Sequence, residues 1–192
     1  MAAPQAVIFD LDGTLTRSNL NFDEIRAEIG VQGPILEALE ALDEDGRRRA
    51  LEILERHERT AADRVVLQDD AVVVLATSRR RGLKTALLTR NSRSSVEVIA
   101  ARHGLVFDAI HTRDDGTIKP SPEPVLSLCA RLGTRPQRTW VVGDYLFDLQ
   151  AGRAANAPTV LMVGEAPLPA YAALADHVIR KLTELLDLLE AC

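Results

Sequence analysis

Apolar residues along this chain fall into two alternating patterns. Short unbroken runs, each closed by a turn or an acid, read as buried strands at Ala6 to Phe9, Leu83 to Leu88, Val106 to Ile110, Thr139 to Val142 and Thr159 to Val163, with His177 to Ile179 as a weaker edge strand. Helical patterns separate them. Ser92 and Gly104 bracket one helix. Ser121 and Pro122 open another, whose Val125, Leu128, Cys129 and Leu132 form one apolar stripe before Gly133 ends it. Leu182, Leu185, Leu186 and Leu189 mark a last helix at the same spacing. Strands alternating with helices predict an α/β fold, a parallel sheet covered on both faces that binds ligands beyond the carboxyl ends of its strands.

Residues 18 to about 75 break the alternation, because they read as helices with no strong strand between them. Pro34 to Leu42 starts one helix, and Glu44 to about Arg64 forms a longer one. The longer helix carries Ala50, Leu51, Leu54 and Ala61 on one side, with Glu52/Arg56 and Glu55/Arg59 as pairs four apart on the other. So long an excursion directly after the first strand predicts a separate helical cap that acts as a lid over the strand ends. The expected division is a core of residues 1–17 and 76–192, with residues 18–75 as the cap.

Composition narrows the partners. A chain of 192 residues, 46% hydrophobic, supports one sizeable core with room for a small second module. The formal charge of −5 offers no basic excess, so neither nucleic acid nor an anionic membrane surface is expected as a partner. A small soluble ligand fits better. Only Cys129 and Cys192 occur, neither a disulfide framework nor a zinc signature, and the start of the chain has no signal-peptide pattern. The expected location is the cytoplasm, as a monomer or homodimer.

The chemistry collects at strand ends. Asp10 and Asp12 straddle the end of the first strand, where Gly13 lets the chain turn so that both carboxylates can face one crevice. Taken alone, an Asp-x-Asp-Gly reads equally well as an aspartate-rich turn. If one acid stays ionised beside a cation it can be a nucleophile, while the other, with a raised pKa, can donate and accept a proton. Gly143-Asp144-Tyr145-Leu146-Phe147-Asp148 follows another apolar strand and lands at the same sheet edge. Hard oxygen ligands there suit Mg²⁺, with Asp10 and Asp144 as direct ligands and Asp148 holding a water, although either later aspartate could simply cap the next helix. Thr89 ends the second strand and can hold a phosphoryl oxygen together with the N–H groups of the helix opening near Ser92. Lys119 brings a compact positive charge to this edge, where it can neutralise phosphate or keep a nucleophile ionised.

Together the four elements resemble the haloacid dehalogenase superfamily of aspartate-nucleophile phosphatases, in its phosphoglycolate phosphatase-like branch. Asp10-Leu11-Asp12-Gly13-Thr14 matches the first signature, Thr89 the second, Lys119-Pro120 the third, and Gly143-Asp144 through Asp148 the fourth. The resemblance covers nearly the whole chain. It implies a Rossmann-like, three-layer core with a small helical cap, and a Mg²⁺-dependent phosphatase acting on a small-molecule phosphoester. Asp10 is then the nucleophile and Asp12 the acid and base. Thr89, Arg90, Asn91 and Lys119 bind the phosphoryl group, and Asp10, Asp12, Asp144 and Asp148 form the metal set. The second signature departs from the usual pattern, because Arg90 intervenes between Thr89 and Asn91.

Asp12 argues against carbon–halogen cleavage, which needs no acid for its leaving group. A phosphomutase or phosphotransferase with the same four elements is the alternative in chemistry, and a non-catalytic regulatory module the alternative in class. In the cap, Arg17, Phe22 and Arg26 are candidate substrate contacts. His57, His103, His111 and His177 show no ligand spacing, and packing is expected of Trp140, Tyr145 and Phe147.

Overall fold

The computed structural model describes residues 3–190, so Cys192 lies outside the described residues. Six parallel strands form one sheet in the order β3-β2-β1-β4-β5-β6: β1 (Ala6–Phe9), β2 (Lys84–Leu88), β3 (Ala109–His111), β4 (Thr139–Gly143), β5 (Thr159–Met162) and β6 (His177–Ile179). The chain order reverses between β1 and β4, which pair in register from Ala6 with Thr139 to Phe9 with Val142. A crevice therefore opens beyond the carboxyl ends of these two central strands, where an open parallel sheet binds its ligands.

Alternate side chains of the strands feed two cores. Val7, Phe9, Leu87, Trp140 and Val142 pack on one face with helices α4 (Ala71–Arg80), α5 (Arg93–His103) and α8 (Thr183–Glu190). Ile8, Ala86, Leu88 and Val141 pack on the other with α6 (Glu123–Leu132) and α7 (Leu146–Ala154). A strand covered on both faces can be apolar at every position, which is why these strands read as continuous runs.

The third strand lies later than the apolar run at Val106 to Ile110 predicted. Gly104 ends α5 in the left-handed conformation, Leu105 is buried in the core just beyond it, and Val106 is exposed. Those residues close the helix, and pairing begins only at Ala109, opposite Ala86.

The excursion after β1 is helical, with α1 (Phe22–Ile29), α2 (Ile35–Leu39) and α3 (Glu44–Ala62). It has its own small core of Ile25, Ile35, Leu39, Ala50 and Leu54. The chain leaves and returns along paired segments, where Arg17 N–H donates to Val66 O at 2.8 Å and Gln68 N–H to Leu15 O at 2.9 Å. The expected boundary near residue 75 falls inside α4, whose Ala71, Val74 and Leu75 belong to the sheet's core. The pairs expected along α3 are also redirected. Arg56 bonds Glu28 on α1, and Glu55 approaches Arg113 at 3.8 Å, because partners on neighbouring elements lie within reach of these side chains. Among the described residues no helix is long and apolar enough to cross a membrane.

Candidate active site

The first strand ends at Phe9, and Asp10 N–H donates to Val142 O at 2.9 Å, so the first acid of the loop is tied to the neighbouring strand. Gly13 then takes a φ of 84°, and a Cβ there would lie 2.0 Å from Asp144 Oδ2. Glycine thus serves both the turn and the approach of the fourth loop to the first. Gly143 gives the same close approach to Asp148, whose Cγ would lie 2.1 Å from an added Cβ.

Asp10, Asp144 and Asp148 bring one carboxylate oxygen each within 4.8 Å of one another. Lys119 Nζ donates to Asp10 Oδ1 at 2.5 Å and to Asp148 Oδ1 at 2.6 Å, all three groups being buried. Asp148 is also a helix cap, since its Oδ2 accepts the Tyr145 N–H at 3.1 Å. The two readings of that aspartate are therefore compatible.

Asp12 stands apart from the cluster of three. Its Oδ2 accepts from Asn91 Nδ2 at 2.5 Å, so its carboxylate points toward the second-strand loop rather than joining a side-chain metal set. Thr89 is buried at that loop, and its Oγ1 accepts the Asn91 N–H at 3.1 Å.

The electrostatics follow from crowding acids in a place poor in water. Burial, with Asp10 and Asp148 beside it, pushes the Asp144 carboxyl up to about 8. Burial likewise raises Asp12 to about 7, helped by the charges of Asp10 and Glu58. Asp10 is raised by burial to about 6, against the pull of Lys119. Burial alone would lower Lys119, but the charges of Asp10 and Asp148 override it and hold the ammonium above its ordinary value.

One ammonium does not balance these acids, and the donors are all hard oxygens, so the residues fit a divalent cation such as Mg²⁺. The charge excess gives a direct prediction. Asp144 titrates at 3.8 as its reference and at about 8 in the fold, so its proton stabilises the metal-free fold. That contribution is complete below the reference value and is lost as pH rises toward 8. We expect the melting temperature of the metal-free protein to fall across this window and Mg²⁺ to restore it, more at pH 8 than at pH 5.5. Asp144→Asn should remove most of the Mg²⁺ response. A melting curve insensitive to Mg²⁺ at both pH values would remove the cation from the site.

These groups form the floor of a cavity of about 720 Å³ between core and cap. Arg90 lines it as expected, but its guanidinium is engaged. Nη2 donates to Glu37 Oε2 of α2 at 2.6 Å, Nη1 donates to Lys119 O at 3.2 Å, and Cζ lies 4.6 Å above the Phe147 ring. Phe22 and Arg26 line the cavity too, whereas Arg17 does not and pairs with Asp69 at 2.6 Å. Tyr145 and Phe147, expected only to pack, belong to the wall, with Tyr145 half exposed. The four histidines lie outside it, His177 stacking on Trp140 at 5.1 Å.

Glu58 was not a candidate in the sequence, yet it is a buried acid in this wall. It bonds Arg113 and accepts the Ser92 N–H at 3.3 Å, while burial raises its carboxyl. The signal was present, because Glu58 follows Leu54 by four residues and so interrupts the apolar stripe of α3.

Residues 4–156 match the profile of a family described as haloacid dehalogenase-like hydrolase. The chain is similar to an uncharacterized hydrolase of Saccharomyces cerevisiae, 29% identical over 97% of this chain and 91% of the relative. It is also similar to the pyrophosphatase PpaX of Bacillus pumilus, 28% identical over 96% of each chain. In fold it matches a hydrolase from Pseudomonas syringae with a TM-score of 0.84, at 21% identity and over 97% of this chain and 98% of the other.

Proposed function

Because the chain belongs to the haloacid dehalogenase-like hydrolase family, we propose that it is a Mg²⁺-dependent phosphatase that cleaves a small-molecule phosphate monoester through an aspartyl-phosphate on Asp10. One observation carries this reading. The Asp10 carboxylate sits at the reversal point of the sheet, bonded at 2.5 Å to a buried lysine and beside two further carboxylates. The lysine favours the ionised nucleophile against burial and the neighbouring acids, and puts positive charge where an anionic substrate must approach. The likeness to a pyrophosphatase supports hydrolysis at phosphorus.

In the first step an Asp10 oxygen attacks phosphorus and the bond from phosphorus to the ester oxygen breaks. Asp12 passes its proton to that oxygen as the alcohol leaves. Water then attacks the phosphorus of the acyl phosphate and gives a proton to Asp12, the bond to Asp10 breaks, and phosphate is released. A carboxyl raised to about 7 suits both duties, since it is protonated often enough to donate and ionised often enough to accept. Asn91 fixes the direction of Asp12 through its 2.5 Å bond. The Thr89 hydroxyl and Lys119 hold phosphoryl oxygens, and a cation held by Asp10, Asp144 and Asp148 would supply further positive charge to them. The reading places the reaction in the cytoplasm, supported by the buried, unpaired Cys129.

The purified protein should release inorganic phosphate from an aryl phosphate in Mg²⁺ and stop on addition of EDTA. A folded, Mg²⁺-loaded protein inert toward every phosphoester would end the proposal. A phosphorylated product in place of free phosphate would assign transferase chemistry to the same residues.

A further inference from the structure

The cavity has two unlike ends. Its floor is the charged cluster described above, but its cap side is built from Leu20, Phe22, Pro34, Ile35, Leu36 and Leu54. Among the described residues, the cations lining it are Arg26, Arg90 and Lys119, and each already has a carboxylate. Arg26 pairs with Asp23 at 2.6 Å, Arg90 with Glu37 at 2.6 Å, and Lys119 with Asp10 and Asp148. The buried acid of the wall, Glu58, is matched by Arg113 behind it. A second anionic group on the cap side would have to displace Glu37 from Arg90, or Asp23 from its more exposed pair with Arg26.

A cavity of about 720 Å³ falls in the range that encloses drug-sized ligands, about 300–1,000 Å³, far beyond what a two-carbon acid or pyrophosphate fills. Apolar walls reward apolar contact, and unmatched polar groups buried against them are penalised. We infer that the substrate is the phosphate monoester of a neutral, largely apolar alcohol whose body lies against the cap wall of Leu20, Phe22, Ile35, Leu36 and Leu54, and that a second carboxylate or phosphate on the substrate is selected against. The inference deepens the phosphatase reading and rests on it for turnover.

The test is a series of n-alkyl phosphates from ethyl to hexyl, with phosphoglycolate as the anionic counterpart of ethyl phosphate at equal carbon number, and pyrophosphate. In Mg²⁺, kcat/KM should rise about fourfold per methylene while the chain gains wall contact. Phosphoglycolate and pyrophosphate should fall below ethyl phosphate. Phe22→Ala should lower the hexyl-to-ethyl ratio, and Arg26→Met should leave the ratio of ethyl phosphate to phosphoglycolate unaltered. A rate flat with chain length, or phosphoglycolate or pyrophosphate as the better substrate, overturns the inference. So does a rise in the ethyl-to-phosphoglycolate ratio in Arg26→Met, which would mark Arg26 as an anion subsite. Calorimetric binding of the matching alkylphosphonates and of phosphonoacetate reads the wall without chemistry. Length-dependent binding without turnover would sink the phosphatase reading and keep this one; length-independent binding would sink this one.

Discussion

An Asp10→Asn protein is expected to fold and to lose turnover by about 10⁵–10⁶-fold, the scale on which deleting an enzymatic nucleophile acts. An amide cannot form the acyl phosphate, so no second carboxylate in the site compensates. The fold should survive because two effects oppose each other. The change removes one negative charge from the crowd of Asp10, Asp144 and Asp148, and it also weakens a bond to Lys119, which keeps Asp148 as its other partner. Asp12→Asn should cost less, about 10²–10⁴-fold, because it removes proton transfer and leaves the nucleophile in place. Substrates with acidic leaving groups should be hurt least by it, since their alkoxides depart without a proton. Single-turnover measurements on both variants with an alkyl and an aryl phosphate would separate the roles. Near-wild-type rates for Asp10→Asn would move the nucleophile elsewhere.

Arg113→Met is expected to destabilise the protein by about 3–5 kcal/mol, the usual consequence of stranding one partner of a buried ion pair. Its side chain is 6% exposed and that of Glu58 is 3% exposed, so neither charge has water to fall back on. Burial already raises the Glu58 carboxyl while Arg113 is present. The pair is a junction between cap and core, because Glu58 lies on α3 and Arg113 follows β3. The double variant Glu58→Gln with Arg113→Met should recover most of the loss, as no charge is then left unpaired. Denaturant unfolding of the two single variants and the double one gives the coupling between them. A double variant no more stable than the weaker single one would show that the charges were not the source of the cost.

The amino-acid order was enough to announce the parallel strands and the acids, threonine and lysine near their ends. Each strand is short, buried on both faces and stopped by acids, glycine or a helix cap, and these signals are local. Asp10, Asp12, Thr89 and Asp144 could be named because they stand at or just past the ends of such runs, and Lys119 and Asp148 because they lie in the segments that follow, before Pro120 and within Gly143 to Asp148. The third strand starts later than its apolar run suggests because Val106 is exposed and Phe107 packs into the core ahead of the pairing, and a short apolar run does not reveal which neighbour it meets.

What only the tertiary structure decided concerns groups brought together from distant parts of the chain. Arg90 is next to Thr89 in sequence and looks free to meet a phosphoryl group, yet Glu37, from 53 residues away, occupies its guanidinium. Glu58 became part of the wall only when α3 docked against the loop before α5, and the apolar cap side exists only where α1, α2 and α3 meet the sheet edge. A strand end is written in a few consecutive residues, so the sequence determined where the candidate site residues lie. Pairings across elements depend on how helices dock, and that docking decided which charges around the cavity are paired and which of its walls are apolar.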